Sequence, residues 1–227
     1  MATSHYILTD LKAVLLEDHR DFSFLNIYRG VPLICRARLD KVDDRAAYFT
    51  VQPPESATLK QEKTTLVLSD GLLEPLEAHV DCLDLVKGEF SLADFGYAGS
   101  KFANRRELRV EPEGNLQVEI ASNSHTLNGQ IADISVRGMG IRLPIQELTI
   151  LLVQGKTVAI SLHLPMKTVR LEGKIRNAVR SQTFLRLAVE FTGAVPEKIN
   201  IIRYVMQRRS EIMLEVRQLY EKAIRLS

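Results

Sequence analysis

The chain has 227 residues, of which 45% are hydrophobic and 26% are charged, as in an ordinary folded protein with one large domain or two small ones. Its formal net charge of +2 argues against a general polyanion binder, so any nucleotide site must be a local cluster of charge. No apolar run approaches the roughly 18 residues that span a bilayer. The first residues also lack the features of a signal peptide, so we expect a cytoplasmic protein.

The cysteines and histidines give no sign of a metal site. Cys35 and Cys82 are the only cysteines, and a reducing compartment makes a disulfide between them unfavourable. The segment from His79 to Cys82 contains potential ligands, but the five histidines do not follow any known ligand spacing. We therefore expect neither a metal nor another cofactor.

The N-terminal part begins with a predicted short helix over residues 9–20. Thr9 can cap it, and Leu11, Val14 and Leu15 form an apolar stripe at helical spacing. Short strands and turns then alternate from residue 31 to about residue 97. The predicted strands cover residues 31–39, 46–51, 64–68 and 76–86, the last as a longer strand or strand pair. This rhythm favours a small antiparallel barrel over residues 1–97, together with the helix.

Residues 98–106 have the glycines and small polar residues of a linker. A second antiparallel set follows over residues 107–195. Its predicted strands cover residues 107–111, 116–121, 126–135, 139–143, 157–164, 169–179 and 184–191. Several of them alternate apolar and polar residues, as half-buried strands do.

The C-terminal residues 196–227 predict one long helix, with Pro196 as its first residue. Its apolar positions keep a heptad-like register: Ile202, Val205, Ile212, Val216, Leu219, Ala223 and Leu226. A helix of about 30 residues is longer than a small barrel can cover, so we expect the stripe to join subunits in a homo-oligomer. The alternative is that the helix breaks into two pieces, both packed on the barrels.

Three arginines stand together after the linker. Arg105 and Arg109 are four residues apart, with Arg106 between them. A guanidinium group can fork onto phosphate oxygens or onto O6 and N7 of guanine, and its flat face can stack on a base. The cluster therefore has the chemistry to hold a nucleotide.

A second motif lies about 25 residues further on, in Asp133-Ile134-Ser135-Val136-Arg137-Gly138-Met139-Gly140. On a strand, Asp133 and Ser135 share one face, while Ile134 and Val136 point into a core. The carboxylate can accept hydrogen bonds from guanine N–H donors. The two glycines, at positions 138 and 140, let a backbone or a ligand come close.

Arg-x3-Arg followed by Asp-x-Ser-x2-Gly resembles the PilZ family of receptors for the bacterial second messenger cyclic di-GMP. The resemblance implies a mainly β fold with a C-terminal PilZ barrel. Some members, such as flagellar-brake-like proteins, carry a split barrel before it. By resemblance, the ligand-binding residues are Arg105, Arg109, Asp133, Ser135 and Gly138, and proximity adds Arg106 and Gly140. Arg186 lies outside both motifs, and we expect its replacement by alanine to change binding little.

The resemblance implies a non-enzymatic receptor that passes its ligand state to a partner protein through domain rearrangement. The partner's identity stays open, as does the choice between motility and exopolysaccharide as the regulated process. The same arginines suit one ligand molecule or a stacked pair.

An enzyme is a rival class, but Walker-type loops, Gly-x-Ser-x-Gly and His-Glu-x2-His are all missing from the sequence. A single-stranded nucleic-acid binder is a second rival, although aromatic residues are only 6% of the chain. A third is an interaction scaffold whose PilZ barrel binds no ligand.

Overall fold

The computed structural model describes residues 2–17, 20–51, 54–60, 63–99, 108–122, 125–144, 154–192 and 195–226. The chain forms two compact units, each built on a β-barrel. The first unit comprises Met1–Tyr28, Pro32–Arg106 and Ile212–Ser227, and the second comprises Arg29–Val31 and Glu107–Glu211. The domain limits derived from the sequence stay a prediction, since most of the predicted linker lies outside the described residues.

Six antiparallel strands close the first barrel in the order β1-β2-β3-β6-β5-β4. They are β1 (Asp21–Tyr28), β2 (Val31–Val42), β3 (Ala47–Val51), β4 (Thr64–Leu68), β5 (Leu76–Asp84) and β6 (Glu89–Tyr97). A short 3-10 helix, Glu55–Lys60, precedes β4. Alternate residues point inward, and rings of Phe24, Phe49 and Phe90 meet in the core with centroids 5.0 to 5.2 Å apart.

The first helix, α1, spans Ala2–Leu16, so the prediction of a helix over residues 9–20 was wrong in its limits. The apolar stripe continues toward the N-terminus through Ile7, which is buried together with Leu11 and Val14. Thr9 does not cap the helix. Its hydroxyl lies inside the helix and donates to the carbonyl of His5 at 3.1 Å.

Seven strands form the second sheet: β7 (Arg109–Val110), β8 (Gln117–Ser122), β9 (His125–Ser135), β10 (Gly138–Pro144), β11 (Thr157–His163), β12 (Thr168–Arg180) and β13 (Phe184–Phe191). Six of them run in the order β10-β13-β12-β11-β8-β9, and pairing of β9 with β10 closes the ring. Strand β7 is added along β9. Two antiparallel barrels with a short first helix and a long last helix confirm the predicted fold class.

The last helix, α2, is unbroken over Val195–Arg225. Its buried apolar positions are Ile201, Val205, Ile212 and Val216, which share the spacing of one helical face. Three of these four belong to the predicted heptad stripe, so part of that stripe is already buried within the chain. Joining of subunits through α2 stays a prediction. None of the helices among the described residues is long and apolar enough to cross a membrane.

Candidate functional site

Those predicted motif residues that the structure describes come together on the outer face of the second barrel, where β9, β10 and β13 lie side by side. Gly140 on β10 stands opposite Asp133 on β9 and opposite Ala188 on β13. The neighbouring Ile141 and Leu187 point inward and are fully buried. Glycine and alanine therefore leave a low surface here, one with almost no side-chain volume, beside the carboxylate of Asp133.

Asp133 is held between two guanidinium groups. One of its oxygens, Oδ1, accepts from Nη1 of Arg109 at 2.8 Å, and the other, Oδ2, accepts from Nη2 of Arg186 at 2.8 Å. The carboxylate side chain is only 12% exposed, whereas the two arginine side chains are 47% and 56% exposed. One negative charge thus meets two positive ones, and the positive excess faces solvent, where an anion can reach it.

Gly140 lies directly beneath this carboxylate. A Cβ atom at position 140 would lie 2.6 Å from Oδ2 of Asp133, closer than real side chains come. A Cβ atom at Gly138 would collide with the carbonyl oxygen of Val189 on the adjacent strand. The close approach of two backbones requires glycine at position 138, whereas a side chain at position 140 would displace the Asp133 carboxylate.

Ser135 closes the tight turn between β9 and β10. Its hydroxyl donates to the carbonyl of Gly138 at 3.1 Å and accepts from the N–H groups of Gly138 at 3.1 Å and Arg137 at 3.3 Å. The side chain is 1% exposed. These contacts shape the turn that places Gly138 and Gly140. A direct contact between Ser135 and a ligand stays a prediction.

The described part of the arginine motif is its last residue. Arg109 begins the two-residue strand β7 and stands opposite Ser135 on β9, which brings its side chain beside Asp133. Arg105 and Arg106 lie outside the described residues. Their predicted ligand roles therefore stay predictions.

Arg186 contacts Asp133, although the sequence motifs did not include it. Its guanidinium binds the same carboxylate as Arg109, a contact that the expectation of little effect from its replacement by alanine did not include. It stands opposite Arg142 of β10, whose guanidinium lies 5.8 Å from the ring centroid of Phe184. The alternation of β13 could have shown that Arg186 points outward, but only the pairing of β13 with β10 brings it to Asp133.

The acid pair at positions 43 and 44 serves the fold of the first barrel. Asp43 accepts from the backbone N–H groups of Arg45 and Ala46, and these bonds, with a further one from Tyr48, lower the pKa of Asp43 to about 2. Asp44 pairs with Lys12 at 2.7 Å. Among the described residues, no three His, Cys, Asp or Glu side chains come together as metal ligands would.

A groove of about 890 Å³ lies on the first barrel, lined by residues of β1, β2, β3 and the end of β4. It includes none of the motif residues.

Comparison with protein families agrees with this geometry. Residues 103–207 match the family model for the PilZ domain. This region, which contains the second barrel and the charge cluster, thus belongs to the PilZ domain family. No curated protein sequence matches the chain at a significant level.

Several solved structures are similar to the chain. The inhibitor of motility MotI/DgrA of Bacillus subtilis is 11% identical at a TM-score of 0.44, and the match covers 85% of this chain and 97% of that one. The PilZ domain of YcgR from Escherichia coli, solved with c-di-GMP, is 16% identical at a TM-score of 0.44, over 49% of this chain and 96% of that one. The MrkH–c-di-GMP complex of K. pneumonia is 13% identical at a TM-score of 0.43, over 95% of this chain and 97% of that one.

Proposed function

We propose that this protein is a non-enzymatic receptor for cyclic di-GMP that regulates a partner protein. The observation that carries the proposal is the carboxylate of Asp133, held between the guanidiniums of Arg109 and Arg186 above Gly140. The match of residues 103–207 to the PilZ domain supports the choice of ligand.

The charges of this cluster suit a cyclic dinucleotide. Cyclic di-GMP has two phosphates and two guanines, and an arginine can fork onto either group. A phosphate that takes over one guanidinium from Asp133 releases a carboxylate oxygen. That oxygen then accepts from the N–H donors of a guanine edge, so one exchange of partners serves both parts of the ligand.

The low surface beside the cluster suits a flat base. Ala188 on β13, opposite the buried Gly140, presents only a methyl group and is partly exposed, so a ring can come close to the sheet there. Guanidinium groups at the edges of this surface can stack on the ring or bind its edge. The proposed ligand residues are therefore Arg105, Arg106, Arg109, Asp133, Ser135, Gly138, Gly140 and, from the structure, Arg186.

Calorimetric titration with cyclic di-GMP tests the proposal and also gives the number of ligands per site. Cyclic di-AMP is a matched control, because it keeps both phosphates but lacks the guanine edge that Asp133 would bind. A single-stranded oligonucleotide tests the rival class. We expect saturable binding of cyclic di-GMP alone. Equal binding of all three would indicate attraction by charge, and absence of cyclic di-GMP binding would favour the scaffold with a non-binding barrel.

Ligand binding is also proposed to change the arrangement of the two domains and so to act on the partner. The segment between Lys101 and Arg106 carries basic residues that repel one another and that a dinucleotide neutralises. We expect trypsin to cut this segment rapidly in the free protein and slowly with cyclic di-GMP. The Arg109→Ala variant is the control, since its weakened binding should remove the protection at limiting ligand. Equal cleavage rates in the presence and absence of bound ligand would show that this segment is not the switch.

A further inference from the structure

Strand β7, which carries Arg109, has few sheet contacts of its own. Within the described part of the chain, it pairs with β9 at two positions, Arg109 opposite Ser135 and Val110 opposite Ile134. Two residue pairs attach β7 to β9 only weakly, because a short edge strand frays easily. The placement of the Arg109 guanidinium on Asp133 therefore depends on what holds the chain just beyond β7.

Both backbone groups of Glu111, two residues after Arg109, are bound by partners other than β9. The N–H of Glu111 donates to the carbonyl of Arg29 at 2.9 Å, and its carbonyl accepts from Nε of Arg208 at 3.0 Å. On the Arg29 side, a Cβ atom at Gly30 would lie 2.9 Å from the carbonyl oxygen of Arg109. The end of β7 is thus clamped through its backbone.

Arg208 is an unusual member of the buried face of α2. Arg208 is only 1% exposed, and it lies between the apolar positions Val205 and Ile212 of that face. Burial of a guanidinium is costly unless its charge and donors are satisfied. Nη1 binds Glu211 at 3.1 Å, and Nε is directed at the carbonyl of Glu111. An apolar residue would fill the same space but would not bind the end of β7.

We propose that Arg208 is a positioning residue for the ligand site, which acts by holding Glu111 and thereby the backbone of Arg109. The inference rests on the proposed function, since the site that it positions is the proposed cyclic di-GMP site. Arg208 donates to Glu111 and to Glu211. Its effect on the ligand passes through β7.

The first test is the Arg208→Met variant, which keeps the apolar stem and removes the donors. Residues that lie outside a binding site but are coupled to it change affinity by about 2- to 30-fold. We expect the dissociation constant for cyclic di-GMP to rise within that range, measured by calorimetry well below the unfolding temperature. Arg209→Met is the matched control, because Arg209 is an exposed arginine on the same turn of α2. Equal dissociation constants for the two variants would overturn the proposal.

A double-mutant cycle separates positioning from general stability. If Arg208 acts through Arg109, the Arg208→Met change should weaken binding little further when Arg109 is already alanine. Full additivity would overturn the proposal. The Arg208→Lys variant keeps a charged donor and should recover part of the affinity. It also serves as the test if Arg208→Met does not fold.

Amide hydrogen exchange at Glu111 tests the contact with Arg208 independently of ligand binding. We expect exchange of this N–H to be faster in Arg208→Met than in Arg209→Met, with or without any ligand. Faster exchange in a protein that binds no cyclic di-GMP would refute the proposed function and leave the clamp in place. Equal exchange rates would overturn the clamp even if the ligand binds.

Discussion

Replacement of Arg109 by alanine should weaken the binding of cyclic di-GMP by about 10- to 150-fold. Each charge-assisted hydrogen bond contributes about 1.5 to 3 kcal/mol, and this range corresponds to the loss of one such contact. The variant also leaves Asp133 with Arg186 as its single guanidinium partner among the described residues. We expect Arg105→Ala to have a similar effect. Calorimetric titration measures both.

The structure changes the choice of control for this experiment. Arg186→Ala is now expected to weaken binding as well, because Arg186 shares the carboxylate with Arg109. Arg170 is a better control, since it is an exposed arginine of the same barrel on β12, opposite Ser161 of β11. Similar losses for Arg109→Ala and Arg170→Ala would mean non-specific attraction and would contradict the site.

The Gly138→Ala variant should lower the free energy of unfolding by about 1 to 3 kcal/mol, the usual cost of forcing extra volume into a packed region. The new Cβ atom would meet the backbone carbonyl of Val189, which cannot turn aside as a flexible side chain can. The collision should also disturb the turn that Ser135 closes, and so weaken ligand binding. Urea unfolding followed by circular dichroism measures the change in stability.

Gly96→Ala is the control for the change from glycine to alanine. A Cβ atom at Gly96 would have no neighbour within 4 Å among the described atoms, so we expect this substitution to leave the unfolding midpoint nearly unchanged. The same midpoint for Gly138→Ala and Gly96→Ala would show that β10 and β13 can separate without cost. That result would contradict the close backbone approach at Gly138.

The strands of the second barrel could be predicted from sequence because their alternation is nearly complete. Val158, Ile160 and Leu162 on β11 are all buried, as their two-residue spacing indicates. Strand β1 was not predicted. Phe22 and Phe24 point inward, but the third inward position is Asn26, a polar residue that interrupts the apolar pattern. The alternation of apolar and polar residues does not reveal a strand whose inward positions include a polar residue.

The candidate site was only partly predictable, because its residues differ in how local their contacts are. Ser135 and Gly138 meet within one turn, and their spacing alone indicates that they lie close together. Arg186 reaches Asp133 across 53 positions of the sequence. That contact depends on which strands neighbour each other in the ring, and residue patterns along one strand do not contain this information.

The turn closed by Ser135 has a consequence for how related sequences are interpreted. Ser135 and Gly138 satisfy requirements of the barrel, namely a closed turn and a close crossing of two backbones. A chain that has lost the ability to bind its messenger would still need both residues to fold. Homologues that keep Ser-x2-Gly but lack the upstream arginines should therefore fold as intact barrels that do not bind the nucleotide. In a genome, Ser-x2-Gly would therefore count domains of this shape, and only the upstream arginines would count receptors.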